Sequence, residues 1–518
     1  MRPLIAAASL IVLASGCQNT TPYGPYPEAS RPPVALNPAP MHAHSPFAAT
    51  PDARERHQRI EAHDVKRTAL EAVSTFSLDA DTGNYAQVRR LLNYGHLPAV
   101  GTVRVEELIN YFGYDFPSPE DDTPFSVTTE VAPSPWNPNN DIIKIGIKAV
   151  DRATDTMPPA NLVFLVDVSG SMAGPDRLEL AKASLKLLTR QLRAEDTVSM
   201  IVYAARTQVE LPATGGDRKP EILAAIDRLT AGGSTNGEAA IKLAYDEAAK
   251  HFKPGGINRI LLMTDGDFNV GLHRHEDLIE LIEHNRDRGI SLSTLGFGVG
   301  NYYEQLMEQA ANKGNGNYSY IDTLSEAQKV FGEELSATFI TVAKDVKLQV
   351  EFNPATVREW RQIGYENRAL AEADFNNDQV DAGEIGAGKS VVALYEVTRV
   401  GRPGLFDDSR YQPTALPADG TSDELAFLKI RYKAPDGDTS RLLTFPIHGR
   451  PGAPPSTDMR FATAVAAYGQ LLNGSKHVGK WSFADTRALA SAALGEDKGG
   501  HRRAFVQLNE LAESLRAK

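Results

Sequence analysis

The chain holds a single cysteine, Cys17, in 518 residues, and that excludes a disulfide framework. Long apolar runs are also scarce. After Leu4 to Leu13, no segment offers the roughly eighteen uninterrupted apolar residues that a membrane-crossing helix needs. Positive charge is in deficit, with 54 Lys and Arg against 66 Asp and Glu. The resulting net charge of -12 and a pI near 5.6 exclude nucleic acid as a partner class. There is no internal repeat and no heptad array. What remains is an ordinary globular composition, 42% hydrophobic, in a chain long enough for several domains.

The N-terminus combines Arg2, the apolar stretch Leu4 to Leu13, and then Ala14, Ser15, Gly16 and Cys17. The run is too short to span a bilayer and has the flanks of a signal peptide. Small residues before Cys17 resemble a bacterial lipoprotein cleavage box, which implies that Cys17 becomes the lipidated first residue and ties the protein to the membrane. By the same resemblance Gln18 implies the outer membrane of a Gram-negative cell, facing periplasm or exterior. Residues 18–60 read as a Pro- and Ala-rich tether, with His42 and His44 as bland members of it.

Between residues 159 and 341, short β-rich runs alternate with amphipathic helical stretches, which predicts a mostly parallel sheet covered on both faces. NLVFLV (Asn161 to Val166) is its first strand. TVSMIVYAA and TQVELP stand too close for a helical crossover, so that pairing is expected to be antiparallel. The first strand ends in Asp167, Ser169 and Ser171, a DxSxS pattern on a Gly-containing turn that reads as half of a divalent-cation site. Two later segments offer the other half: GGSTN, with Thr235 behind Gly232 and Gly233, and ILLMTDG, with Asp265 before Gly266. In a doubly wound sheet, ligands sit outside the carboxyl ends of strands where strand order reverses, which is where these residues are expected to converge.

That set, in that order on that pattern, resembles the metal-ion-dependent adhesion site of a von Willebrand factor type A domain. The resemblance implies that Ser169, Ser171 and Thr235 coordinate a cation, with Asp167 and Asp265 acting directly or through water. Hydroxyl, carboxylate and water oxygens are hard ligands that favour Mg²⁺, then Mn²⁺ or Ca²⁺, over zinc. Only the two Asp carry charge, so the ion stays electrophilic, and an Asp or Glu of a protein partner is expected to complete its shell.

Other motifs give way to plainer readings. GEIGAGKS (Gly383 to Ser390) spells a P-loop, but a polar stretch precedes it and the alternating SVVALYEVTRV follows, so no nucleotide site is expected. Asp374, Asn376 and Asp378 have calcium-loop spacing, but Gln379 and Ile385 stand where Gly and Glu belong, and a polar hairpin loop is the better reading. DADTG (Asp79 to Gly83) reads as a turn and helix cap. Ser171 would be a hydrolase nucleophile only in GxSxG; Ser169 and Ala173 occupy the glycine positions, and His273 and His275 are poorly placed as bases, so no enzyme activity is expected.

The flanks complete the expected fold class. It is an α/β, doubly wound, mostly parallel Rossmann-like sheet inserted in or flanked by a β-sandwich, with a small C-terminal helical unit. Boundaries are expected at 1–17 for the signal peptide, 18–60 for the tether, 61–158 for an N-terminal α+β segment, 159–341 for the central domain, 342–455 for a sandwich-like domain of alternating strands and 456–518 for the helices. Neither flank has strands enough to close a sandwich comfortably, so strands from both sides of the central domain are expected to pair. FSLDADTGNYAQVRRLL (Phe76 to Leu92) and ADFNNDQVDAGEIGAGKSV (Ala373 to Val391) resemble hallmark stretches of bacterial lipoproteins that carry a type A domain between an N-terminal segment and a C-terminal domain of unknown function. Those flanks bring no assigned chemistry. A protein-binding module is the expectation, with a periplasmic scaffold or assembly factor as the alternative and an exported serine hydrolase as a weaker one. By resemblance to adhesion receptors, a shift of the last helix before KDVKLQV would couple the rim to the flank.

Overall fold

The computed structural model describes residues 59–518 apart from 121–122, 154–155, 235–236, 267–274, 299–302, 408–422, 450–453 and 518. Thr235, Cys17, His42, His44 and His273 lie outside the described residues.

Strand Ala160–Asp167 lacks polar alternation because both of its faces are covered. Leu162, Phe164 and Val166 belong to one core with Leu185, Ile222 and Phe331, whereas Val163 and Leu165 belong to another with Ile241, Leu278 and Met307. Around it the central sheet runs Tyr318–Ile321, Ser291–Phe297, Ile257–Thr264, Ala160–Asp167, Thr197–Tyr203 and Thr207–Gly215. Every pairing is parallel except the last, the antiparallel hairpin that the short connection requires. Sequence order reverses beside Ala160–Asp167, which opens a crevice at the carboxyl ends of the middle strands. The last helix of this domain is not continuous. It consists of Leu324–Gln328, a π-helical turn Lys329–Glu333 that contains Gly332, and Leu335–Phe339, before strand Thr341–Phe352 begins.

The flanking segments share a sandwich. In one sheet Asn140–Ala149, from before the central domain, pairs with Ser390–Arg399, from after it, with Asp141 opposite Val397 and Ile147 opposite Val391. In the other, Val73–Ser77 pairs with Thr341–Phe352, which also holds Glu424–Lys433. Phe76, Ile143, Ile145, Leu348, Tyr395 and Leu428 meet in the core between the sheets. The central domain is thus an insertion between strands that hydrogen-bond to one another.

SVVALYEVTRV is expected to alternate, but Ser390–Arg399 is buried almost throughout. The reason lies on its far side, where Val392 and Leu394 face a helical layer while Val391, Ala393 and Tyr395 face the sandwich core. That layer joins helices Thr457–Leu472, Phe483–Ser491 and His501–Arg516 to two helices of the N-terminal flank, Gly83–Asn93 and Val105–Asn110. Phe112, Phe461 and Phe505 pack edge to face at its centre, with Phe112 and Phe461 centroids 4.9 Å apart. The Ser482 hydroxyl and Asp485 carboxylate cap Phe483–Ser491 reciprocally.

Candidate metal centre

Asp167 closes strand Ala160–Asp167 and is fully buried. Its Oδ1 accepts the Ser169 amide at 2.8 Å and its Oδ2 accepts the Thr264 hydroxyl at 3.1 Å. Both donors are neutral, and among the described residues no lysine or arginine is ion-paired with Asp167. Burial pushes its carboxyl up to about 6; the Ser169 hydrogen bonds oppose the shift, and the nearby Asp265 carboxylate adds to it. Ser169, itself buried, holds its Oγ 2.9 Å from the Oγ of half-exposed Ser171. Asp265 follows strand Ile257–Thr264 and is buried too, and the chain then turns at Gly266, whose φ of +88° suits glycine.

The glycine pair before Thr235 is stitched to this turn. Gly170 N–H donates to Gly233 O at 2.9 Å and Gly232 N–H donates to Val168 O at 2.8 Å. Gly233 has φ +88°, and a Cβ there would come within 3.3 Å of the Ala205 backbone. The segment that leads to Thr235 is therefore held against the DxSxS turn by backbone bonds. The structure thus brings together Asp167, Ser169, Ser171 and Asp265.

Two supporting residues escape a reading of the sequence. Thr264 donates to Asp167 and accepts the Gly266 amide at 3.1 Å, so the Thr of TDG orients both carboxylate-bearing turns. Tyr203 stands opposite Asp167 in the sheet register, fully buried, with its phenol pushed well above the ordinary range by burial and then by the Asp167 charge. Only the strand order could have identified it.

The donors fit a hard octahedral cation. Adjacent ligands around Mg²⁺ at about 2.0–2.1 Å stand about 2.9 Å apart, which is the Ser169 to Ser171 hydroxyl separation. The same separation is a hydrogen bond, so the pair keeps its geometry without an ion. Side-chain oxygens alone make up this donor set, and a cation would favour the charged form of Asp167 that burial disfavours.

The other motifs resolve differently. Ile385–Gly386 of GEIGAGKS is a short strand, Lys389 Nζ donates to Glu334 at 2.7 Å, and Ser390 opens a strand rather than a helix, so no helix N-terminus faces the loop. In the Asp374 to Asp378 loop, Lys347 Nζ donates to the carbonyls of Asp374 and Asn377 at 3.1 and 2.5 Å. The Asp378 carboxylate, one of the side chains that spacing would supply to calcium, accepts instead from Arg431 Nε at 3.2 Å and from the Ser440 hydroxyl at 2.6 Å. DADTG forms the expected turn, with Asp79 Oδ1 accepting the Asp81 amide at 2.9 Å, but not the expected cap: Thr82 precedes helix Gly83–Asn93 without a side-chain cap. Asp79 and Asp81 instead pair with Arg368 at 3.0 and 3.4 Å, an attraction that requires the tertiary fold.

Residues 161–333 match the family described as von Willebrand factor type A domain, and residues 51–144 match one described as von Willebrand factor. Residues 337–515 match the family described as uncharacterized protein YfbK, C-terminal. The chain is 49% identical over 468 residues to the uncharacterized protein YfbK of Escherichia coli, covering 89% of this chain and 81% of that protein. It is 26% identical over 332 residues to the uncharacterized protein sll0103 of Synechocystis, covering 62% of this chain and 74% of that protein. Among solved structures, a von Willebrand factor type A protein from Catenulispora acidiphila is similar over 73% of this chain and 89% of its own, with 15% identity and a TM-score of 0.41. The chain belongs to the YfbK family, with a von Willebrand factor type A domain at its centre and the YfbK C-terminal domain after it.

Proposed function

We propose that this protein is a lipid-anchored envelope protein that binds a protein partner through a divalent cation held at the rim of its type A domain. Ser169, Ser171 and Thr235 would hold the ion, with Asp167 and Asp265 direct or through water, and Mg²⁺ is the preferred cation, with Mn²⁺ or Ca²⁺ as substitutes. The observation that carries the reading is the Ser169 and Ser171 hydroxyl pair, 2.9 Å apart beside a buried Asp167 that lacks a cationic partner among the described residues. A bound cation supplies an electrophilic position that a partner's Asp or Glu carboxylate completes. The protein's own part is to present that position on a stiff rim, since Asp167 is fixed from two sides by Ser169 and Thr264. Lipidation at Cys17 would place the rim outside the cytoplasm, on the outer membrane of a Gram-negative cell. No nucleotide or nucleic acid enters the reading, and no reaction is assigned to Ser171, whose Oγ lies against the Ser169 hydroxyl, with no imidazole bonded to it among the described residues.

A pull-down with wild type and Asp167→Ala, each with and without EDTA, tests this. Loss of the same partners in the variant and under EDTA is expected. Partners retained in both would instead favour a scaffold or assembly factor with a structural metal site, a reading supported by how tightly the insertion is bound to its flanks through Arg104, Arg368 and Arg89. Metal-independent ester turnover lost in Ser171→Ala would favour the hydrolase.

A further inference from the structure

Helix Gly83–Asn93 belongs to the N-terminal flank, yet it contacts the edge strand Tyr318–Ile321 of the central sheet. Glycine at position 83 admits this approach, because a Cβ there would lie 2.3 Å from Tyr318 Cε1. Gln87 Nε2 donates to the Tyr318 hydroxyl at 2.6 Å, and the Tyr318 amide donates to Asp81 Oδ1 at 3.2 Å. Two residues further on, Arg89 pairs with Asp322 and Glu326. Buried Arg90 reaches higher, toward the carboxyl end of the sheet.

Arg90 Nη1 donates to the Gly298 carbonyl and to the Tyr320 hydroxyl, each at 2.9 Å. The Tyr320 hydroxyl donates to that same carbonyl. Two donors therefore fix one peptide group, immediately after strand Ser291–Phe297 and at the sheet end where Asp167 and Asp265 also stand. The other side of Gly298 is occupied by Arg177: a Cβ on Gly298, whose φ is +70°, would come 2.4 Å from Arg177 Cγ and 2.6 Å from its Nε. Arg177 Nη1 in turn donates to the Ser171 carbonyl at 2.6 Å. The contacts run unbroken from the flanking helix through Gly298 and the Arg177 side chain to the turn that carries the Ser169 and Ser171 hydroxyls.

We infer that Arg90 and Tyr320 are positioning residues for the cation rim, so that cation binding and the docking of helix Gly83–Asn93 on the central domain are coupled. The inference rests on the cation reading above. Coupling is reciprocal: the docked helix raises the affinity for the cation, and the bound cation tightens the helix on the sheet edge. The measurement therefore reads affinity and docking separately.

The test uses the full chain, with Mg²⁺ titrated calorimetrically and thermal unfolding followed in EDTA. Tyr320→Phe removes one donor from Gly298 and keeps the ring; Arg90→Met removes the other. The Mg²⁺ dissociation constant is expected to rise about threefold in Tyr320→Phe and about tenfold in Arg90→Met, as loss of well-formed hydrogen bonds implies. Mg²⁺ is also expected to slow backbone amide exchange across residues 83–93 in wild type and not in Asp167→Ala. Variants that bind Mg²⁺ like wild type while unfolding earlier in EDTA would overturn the inference, since the contacts would then be structural only. Exchange across 83–93 that ignores Mg²⁺ would overturn it equally, and this measurement with Tyr320→Phe decides the matter if Arg90→Met does not fold. Wild type that takes up neither Mg²⁺ nor Mn²⁺ overturns the cation reading itself, a result distinct from both.

Discussion

Among the described residues, the junction between the insertion and its flanks and the rim of the central sheet both gather carboxylates, and they treat those charges in opposite ways. At the junction between the insertion and its flanks, one oxygen each from Asp79, Glu107 and Glu308 lies within 4.8 Å of the others, all three buried. Arg104 pairs with Glu107 at 3.1 Å and also with Glu308, and Arg368 pairs with Asp79 at 3.0 Å and Glu308 at 2.8 Å. Two guanidinium groups thus supply built-in cations to this cluster, although burial still pushes the Glu107 carboxyl well above its ordinary range. At the rim, the donors to Asp167 among the described residues, the Ser169 amide and the Thr264 hydroxyl among them, are neutral and orient a carboxylate without cancelling its charge. Proximity of acids is the same signal in both places; the nature of the donors already present tells a structural ion network from a site that calls for an external cation.

The strongest way to break this comparison is to remove a built-in cation. Arg104→Met leaves Glu107 and Glu308 without that partner, and a destabilisation of about 3–5 kcal/mol is expected by urea unfolding. A loss below about 1 kcal/mol would mean the cluster does not depend on its arginines. Next in size is the response to metal: Mg²⁺ at one hundred times its dissociation constant is expected to stabilise wild type by about 2.7 kcal/mol and Asp167→Ala hardly at all, read as a melting shift. If Mg²⁺ stabilises both equally, the ion acts elsewhere. The smallest effect sharpens the role of the joint after the type A domain. Burial alone would raise the Glu334 carboxyl, but Lys329 and Lys389 outweigh it and hold the group down from 4.5 to about 2. A depressed carboxyl stabilises the fold above its unfolded value and loses that contribution as pH falls through its folded one. Wild type is therefore expected to lose about 1 kcal/mol between pH 4.5 and 2 that Glu334→Gln does not lose, a modest figure because the side chain is 26% exposed. Identical acid profiles would remove Glu334 from the joint.

Much of the central domain was legible because its signals are local. Strand NLVFLV, the turn DxSxS and the strand end TDG each announce themselves within a few residues, and the antiparallel hairpin follows from a short connection. Tyr203 was not legible as a site residue, since a Tyr at a strand end has no distinguishing neighbour until the register sets it beside Asp167, and although Thr264 belongs to TDG, its bond to Asp167 exists only in the fold. The alternation expected for Ser390–Arg399 failed for a similar reason: the helices that cover its second face come from both ends of the chain.

The sequence by itself determined most of the elements and the donor types at the rim, because periodicity, turn residues and side-chain chemistry are properties of short segments, and it implied the pairing of the two flanks through the shortage of strands on each side. Tertiary structure alone decided which acids are already neutralised. Asp79 and Arg368 pair across 289 positions and Arg104 and Glu308 across 204, and such attractions exist only once the chain has brought the charges together in a medium that does not screen them.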